Sequence, residues 1–364
     1  MGLVVLAILV GLVLWTRQHV HFEFSKFWHQ LTHAEWTRIA IALACIYVGY
    51  IFRSARWAFL LRHNQRVRPL SLIGTQVIGF TGVALIGRLA DLVRPYLVSR
   101  RTGLPLSSQI AVYIVERLFD MGSIAIVFSI ALVQVPADVV KKVTDQVISH
   151  SGLLSHAPGW LAPLLARYLG LILTLLGALF LVIVRISGNA VAVFFERTLG
   201  LVSKKMGAAA GAKIRAFHTG LDTMRSWSDF AVTTALSLAM WALITYAYLE
   251  TIRAFVASPE LANISFSACV VLMVISGGAS VVQLPVLGWF TQIGFVAFAL
   301  QLIVHPGPEP ATACAATLLL VTFLSIIPVG LIWARFEHVS LRKIAEESEH
   351  SGEELGGGAV ADSL

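Results

Sequence analysis

Charge is what this sequence has least of. Only 13% of its 364 residues are Asp, Glu, Lys or Arg, against about 25% in a soluble domain. That excludes a water-facing surface over most of the chain. Cysteine is scarce too: Cys45, Cys269 and Cys314 all fall in apolar runs, which excludes a disulfide framework and leaves small hydrophobic packing as their role. The usual catalytic signatures are missing, with no nucleophile elbow, DxD-like acidic pair or Cys-His pair among the apolar runs. "GAAAGAK", Gly207 to Lys213, has too few residues between its glycines for a Walker A loop and no following Ser or Thr. His29 and His33 are four apart, with His19 and His21 upstream, but no metalloprotease motif accompanies them. Neither a metal nor a cofactor is expected.

What is present is grease. The chain is 57% hydrophobic, and several apolar runs reach the roughly 20 residues that a helix needs to cross a bilayer. They show no alternation of the kind a barrel strand would need. The expected fold class is all-α: a polytopic membrane protein of about six full spans plus two broken or re-entrant hairpins. The spans are placed at 2–15, 37–61, 107–135, 167–186, 230–250 and 311–334. The first of these, "MGLVVLAILVGLVLW", lacks the basic leader and small-residue cleavage site of a signal peptide. The interrupted regions are 70–93, with Gly74, Gly79, Gly82 and Gly87, and 264–304, with "SGGAS" and "QLPVLG". Gly/Pro clusters at membrane depth mark broken helices.

The net charge of +7 is spread between the spans rather than gathered on one basic face, so nucleic acid is not expected as a partner. If each broken region returns to its own side, segments 53–68, 94–101, 185–228 and 335–343 carry 18 of the 27 Lys and Arg, and the opposite loops carry 7. By the positive-inside rule the richer set is cytoplasmic. The hairpins then enter from opposite faces, as an inverted repeat would have them. The best internal echo sets "LIGRLAD" against "VLGWFTQ", placing Gly87 and Asp91 beside Gly288 and Gln292. Residues 1–343 read as one transmembrane domain. Within it, 187–228 alternates apolar and basic positions and suits an amphipathic surface segment. The loop around 137–166 reads as extracytoplasmic, and the acidic, glycine-rich tail 344–364 as disordered.

The two remaining arginines, Arg88 and Arg117, lie inside apolar segments, where each charge costs roughly 2.5–3.5 kcal/mol on insertion scales. "YIVERLFDMG" puts Glu116 and Asp120 on one helix face with Arg117 three residues from Asp120. This is either a structural ion pair pinning the helix or part of a polar cavity. Arg88, Asp91 and Arg94 follow at spacings of three, and Pro95 is expected to end that helix. Guanidiniums beside a broken helix suit a phosphate, which they grip bidentately; the alternative for Arg94, Arg100 and Arg101 is interfacial snorkelling. Arg53 and Arg56, with Trp57, read as interfacial anchors or as the cytoplasmic rim of a headgroup site.

"SARWAFLLR", "GRLADLVRPYLVSRRTGLPLSSQIAVYIVERLFDMG" and "QLPVLGWFTQIG" occur in that order. Together they resemble the lysylphosphatidylglycerol synthase transmembrane-region family over about residues 36–335. Arg88, Asp91, Arg94, Glu116, Arg117 and Asp120 fill the family's charged positions, with Asp91 in place of a Glu. Ile86 stands where the family usually has Pro, and Ala90 where it has Gly. In the second half Pro285 of the family's Gly-rich loop is kept, Val286 and Leu287 depart from it, and Gln292 replaces its Glu; Gln283, Pro285 and Gln292 join the candidate headgroup residues. The resemblance implies a membrane domain that moves aminoacylated or polyprenyl-linked lipids between leaflets of a cell membrane. It also implies no synthase activity, because the soluble catalytic domain of the synthases has no counterpart here. Membrane lipids, anionic or polyprenyl-phosphate-linked, are the expected partners, while a homo-oligomer or a cell-envelope synthesis partner stays open. Two other readings remain: a scaffold for envelope synthesis, and a membrane transferase using Asp91 or Glu116 as its acid or base.

Overall fold

Apolar stretches in lipid must satisfy their backbone internally, and this chain does so with helices. The computed structural model describes residues 22–134, 189–200, 226–279 and 287–337, with positions 168, 203, 207, 208 and 211; at Arg88, Leu89, Leu132, Val133, Ala279 and Leu287 it describes the backbone only. The spans expected at 2–15 and 167–186, the loop 137–166, much of 187–228 and the tail 344–364 lie outside the described residues. Among the described residues there is no strand.

The helices are α1 (Phe24–Thr32), α2 (Trp36–Leu61), α3 (Ile73–Ile86), α4 (Val93–Thr102), α5 (Leu106–Val133), α6 (Trp227–Arg253), the short α7 (Pro259–Ala262), α8 (Phe266–Ala279), α9 (Leu287–Ile303), α10 (Pro308–Leu319) and α11 (Ile326–Phe336). Residues 189–200 are also helical. Among the described residues, four stretches are long and apolar enough to cross a membrane: Trp36–Leu61, Pro69–Ile86, Trp227–Arg253 and Pro308–Phe336. At 28 residues α5 is as long, with Glu116, Arg117 and Asp120 near its middle. The chain is an all-α integral membrane protein.

Local chemistry explains where the elements start and bend. Helix α6 begins ahead of its apolar run because Ser226 and Asp229 form a capping box, each side chain accepting from the other's backbone N–H at 3.2 Å. The last span widens into a π turn at Leu320–Leu324, where the Ser325 N–H reaches back to the Leu320 carbonyl at 2.8 Å. The widening precedes Pro328, which has no N–H to offer and whose ring would crowd the preceding turn. Nearby carbonyls gain side-chain donors: Tyr47 OH to Ser325 O at 2.9 Å and Thr81 Oγ1 to Ile326 O at 3.2 Å.

The first hairpin breaks at Gly87, whose φ of 92° and ψ of −166° suit glycine alone. A 3-10 turn, Arg88–Leu92, leads into α4. Pro95 does not end a helix at Arg94, as the sequence suggests; it sits in the first turn of α4, where its missing N–H would have had no intrahelical partner anyway. Helices α3 and α4 close tightly, and a methyl at Gly79 would overlap Arg94 Cγ.

Contacts at the helix ends fix the topology. Helices α2 and α6 run antiparallel: Arg62 pairs with Asp229 at one end, and the Glu35 N–H donates to the Ala254 carbonyl at 2.8 Å at the other. The Arg62 end also gathers the base of the first hairpin, with Gly74 against Trp333 and Glu337, and Arg101 Nη1 at 2.7 Å from Glu337 Oε1. The Glu35 end gathers the base of the second, where Arg253 Nη2 donates to the Ile264 carbonyl at 3.1 Å and the Glu23 N–H to Glu309 Oε1 at 3.1 Å. The two hairpins therefore enter the bundle from opposite ends. Their tips meet where Trp289 Nε1 donates to the Ala84 carbonyl at 3.2 Å.

Candidate functional site

Five helices converge on one charged cluster inside this apolar bundle. Helix α5 supplies two carboxylates a turn apart. Glu116 Oε1 accepts from Arg56 Nη2 at 2.7 Å, Arg117 Nη2 at 3.1 Å and Arg94 Nη1 at 3.3 Å. Asp120 Oδ1 accepts from Arg56 Nη1 at 2.6 Å and Trp241 Nε1 at 3.3 Å, while its Oδ2 lies 3.1 Å from Arg117 Nη2. Arg53 Nη1 stands at 3.6 Å from Glu116 Oε1 and 3.9 Å from Asp120 Oδ2. Around this core, Ser237 Oγ on α6 accepts from Arg56 Nη1 at 2.7 Å, and Gln76 Oε1 on α3 from Arg94 Nη1 at 3.2 Å.

Arg56, Arg94, Glu116 and Asp120 are buried, with Arg94 at 0% exposure. Uncompensated charge is costly at that depth, and aromatic faces supplement the carboxylates as partners for the guanidiniums. Arg94 lies over the Phe80 ring at 4.4 Å, with Tyr113 at 5.2 Å and Trp57 at 5.6 Å, and Arg53 lies 4.8 Å from the centroid of the same Phe80 ring. The Arg117 side chain, 37% exposed, opens the cluster to the outside.

The arrangement is rich in positive charge. Four guanidiniums meet two carboxylates; Asp91, half-buried in the 3-10 turn, is near enough to Arg117 for their charges to interact, and still leaves the described guanidiniums in the majority. Among the described residues, buried N–H groups remain without an acceptor: Nε and Nη2 of Arg94, Nε of Arg56 and Arg117, and Nη1 of Arg53. A polyatomic anion such as a phosphate offers the several acceptor oxygens that such donors need.

Of the sequence-predicted residues, Arg94, Glu116, Arg117 and Asp120 come together as the spacing suggests, including the Arg117–Asp120 pair within α5. Arg53 and Arg56 do not form a cytoplasmic rim. They point into the bundle, and Arg56, 1% exposed, is the most heavily bonded cation of the cluster. Their spacing of three turns both inward on α2 toward the acids of α5, and a buried carboxylate pair holds an arginine more firmly than a lipid interface does. The Arg88 side chain, Gln283 and Pro285 lie outside the described residues. Gln292 is buried but belongs to a separate group on the second hairpin: its Nε2 donates to Ser276 Oγ at 3.1 Å, and Tyr248 OH donates to the same oxygen at 3.0 Å.

Sequence reasoning missed Gln76, Phe80, Tyr113, Ser237 and Trp241. The one available signal was the i, i+4 pairing of Ser237 and Trp241 on a long apolar helix. His29 and His33 stack at 3.9 Å between ring centroids, and among the described residues no three His, Cys, Asp or Glu side chains gather as a metal would require.

A family model described as "Lysylphosphatidylglycerol synthase TM region" matches residues 2–332 of the chain. No curated protein and no solved structure matches it.

Proposed function

The chain belongs to the lysylphosphatidylglycerol synthase transmembrane-region family, and on that premise we propose that it is a lipid flippase or lipid-binding transporter, a carrier rather than an enzyme. It receives the phosphate of a phospholipid or polyprenyl-linked lipid at the arginine cluster of the first hairpin. The observation that carries this reading is the buried excess of guanidinium over carboxylate with N–H groups left unpartnered. The headgroup enters past Arg117 and Arg53, the two less buried members, while the acyl chains stay in lipid. Lysine and arginine in the loops orient the Arg62 end toward the cytoplasm of a cell (inner or plasma) membrane.

Mass spectrometry of lipids co-purifying with wild type, Arg94→Gln and Arg53→Gln tests this, once all three elute as monodisperse protein. One phosphate lipid enriched over bulk in the wild type and depleted several-fold in both variants is the expected result. Translocation of that lipid in proteoliposomes then separates a flippase from a binder. Identical bulk lipid in all three would reduce the cluster to a structural lock and favour the scaffold for envelope synthesis.

A further inference from the structure

Helix α6 carries two polar stations along one face. At Ser237 and Trp241 it meets Arg56 and Asp120 of the charged cluster. Seven residues beyond Trp241, Tyr248 meets Ser276 and, through it, Gln292 of the second hairpin. Seven residues are two turns, so the stations lie on the same side of α6, about 10 Å apart along its axis.

Their chemistry differs. The first is positively charged. The second is neutral: its hydrogen-bonding groups are a phenol, the hydroxyls of Ser276 and Thr322 and an amide, and the buried Oε1 of Gln292, a residue 6% exposed, has no donor to it among the described residues. Two more acceptors, Glu116 Oε2 and Asp120 Oδ2 in the first station, are also buried without a hydrogen-bond donor among the described residues, the second of them 3.1 Å from Arg117 Nη2. A ligand suited to both stations needs phosphate oxygens for the arginines and donors for Gln292 and for the open oxygens of Glu116 and Asp120. Hydroxyls and ammonium groups both donate, and the charge tally decides between them. An ammonium at the first station approaches a majority of guanidiniums, and at the second it finds no carboxylate among the described residues.

We propose that the carried lipid is an anion with a hydroxyl-bearing headgroup, its phosphate at Arg53, Arg94 and Arg117 and a hydroxyl at Gln292, and that an aminoacylated, cationic headgroup is disfavoured. The inference rests on the lipid-carrier reading above and names its substrate class. The separation of the stations gives it a length requirement, because a bare phosphate ester fills only the first.

Competition among lipids for the protein in phosphatidylcholine nanodiscs, read by native mass spectrometry, tests it. The probes are phosphatidylglycerol, phosphatidic acid, phosphatidylethanolamine and lysyl-phosphatidylglycerol. Phosphatidylglycerol is expected to be retained about five- to tenfold over phosphatidic acid, as one or two added hydrogen bonds imply, and to exceed both amine-bearing lipids. Gln292→Leu brings phosphatidylglycerol down to the phosphatidic acid level and leaves phosphatidic acid unchanged. Gln292→Glu, which supplies a carboxylate and keeps the shape, raises lysyl-phosphatidylglycerol relative to phosphatidylglycerol and stands as the check should the leucine variant fail to fold. A polyprenyl-phosphate sugar added as a competitor identifies the source of the headgroup: displacement of phosphatidylglycerol assigns it to a polyprenyl lipid, and no displacement to a glycerophospholipid. Equal retention of phosphatidylglycerol and phosphatidic acid, or lysyl-phosphatidylglycerol retained best, overturns the substrate class while anion preference survives. Equal retention of all four lipids overturns the headgroup site itself.

Discussion

Glu116 is the residue on which the cluster depends most, because three hydrogen-bonded arginines and a fourth at 3.6 Å share its one bonded oxygen. Glu116→Gln leaves those guanidiniums short of a counter-charge in a buried setting, and a loss of about 3–5 kcal/mol is expected in detergent unfolding measurements. Arg117→Gln, which removes a side chain more than a third exposed, is expected to cost no more than about 1 kcal/mol in the same assay. A result in which the two variants fall together would contradict the burial assignment. Two glycines make a paired test. Gly49→Ala meets nothing within 4 Å and gains up to about 1 kcal/mol of helix propensity, whereas Gly79→Ala drives a methyl into the buried Arg94 stem and loses about 1–3 kcal/mol. At this scale the acids and Arg117 were legible because charge in an apolar run demands a partner. Arg56 was misread because sequence gives a residue's position along a helix but not what stands opposite it.

At the scale of elements, the long helices match the apolar runs to within three residues at each end, since hydropathy and proline placement set both. The break of the first hairpin was also legible in its glycines. Its exact shape was not: proline is tolerated in a first turn and forbidden in an interior, and the sequence alone does not say which side of the break Pro95 occupies. Gly87→Ala isolates the break. The alanine cannot adopt a φ of 92° with a ψ of −166° without strain of about 1–3 kcal/mol. A lower melting temperature with the arginine cluster still competent to bind anionic lipid is the expected outcome, and an unchanged melting temperature would show that the turn rebuilds itself.

At the scale of the whole molecule, opposite orientation of the two hairpins was visible only indirectly, through the uneven distribution of lysine and arginine. The contacts that establish it join residues far apart in the chain, such as Arg101 with Glu337 and Glu23 with Glu309, and no local pattern announces such pairs. Single cysteines placed at Arg66 and at Asn263, in a background lacking the three native cysteines, are expected to react with a membrane-impermeant maleimide from opposite faces of intact vesicles. Labelling of both from one face would overturn the arrangement.

The junction of the two hairpins has a spectroscopic consequence. The indole N–H of Trp289 ends one half of the bundle and rests on the Ala84 carbonyl at the end of the other, so any motion that separates the halves changes the surroundings of that single ring. A fluorine atom on its indole, introduced by fluorotryptophan incorporation and assigned by comparison with Trp289→Phe, would turn the seam into a resonance whose shift and linewidth count the closed and parted populations while lipid is being titrated in.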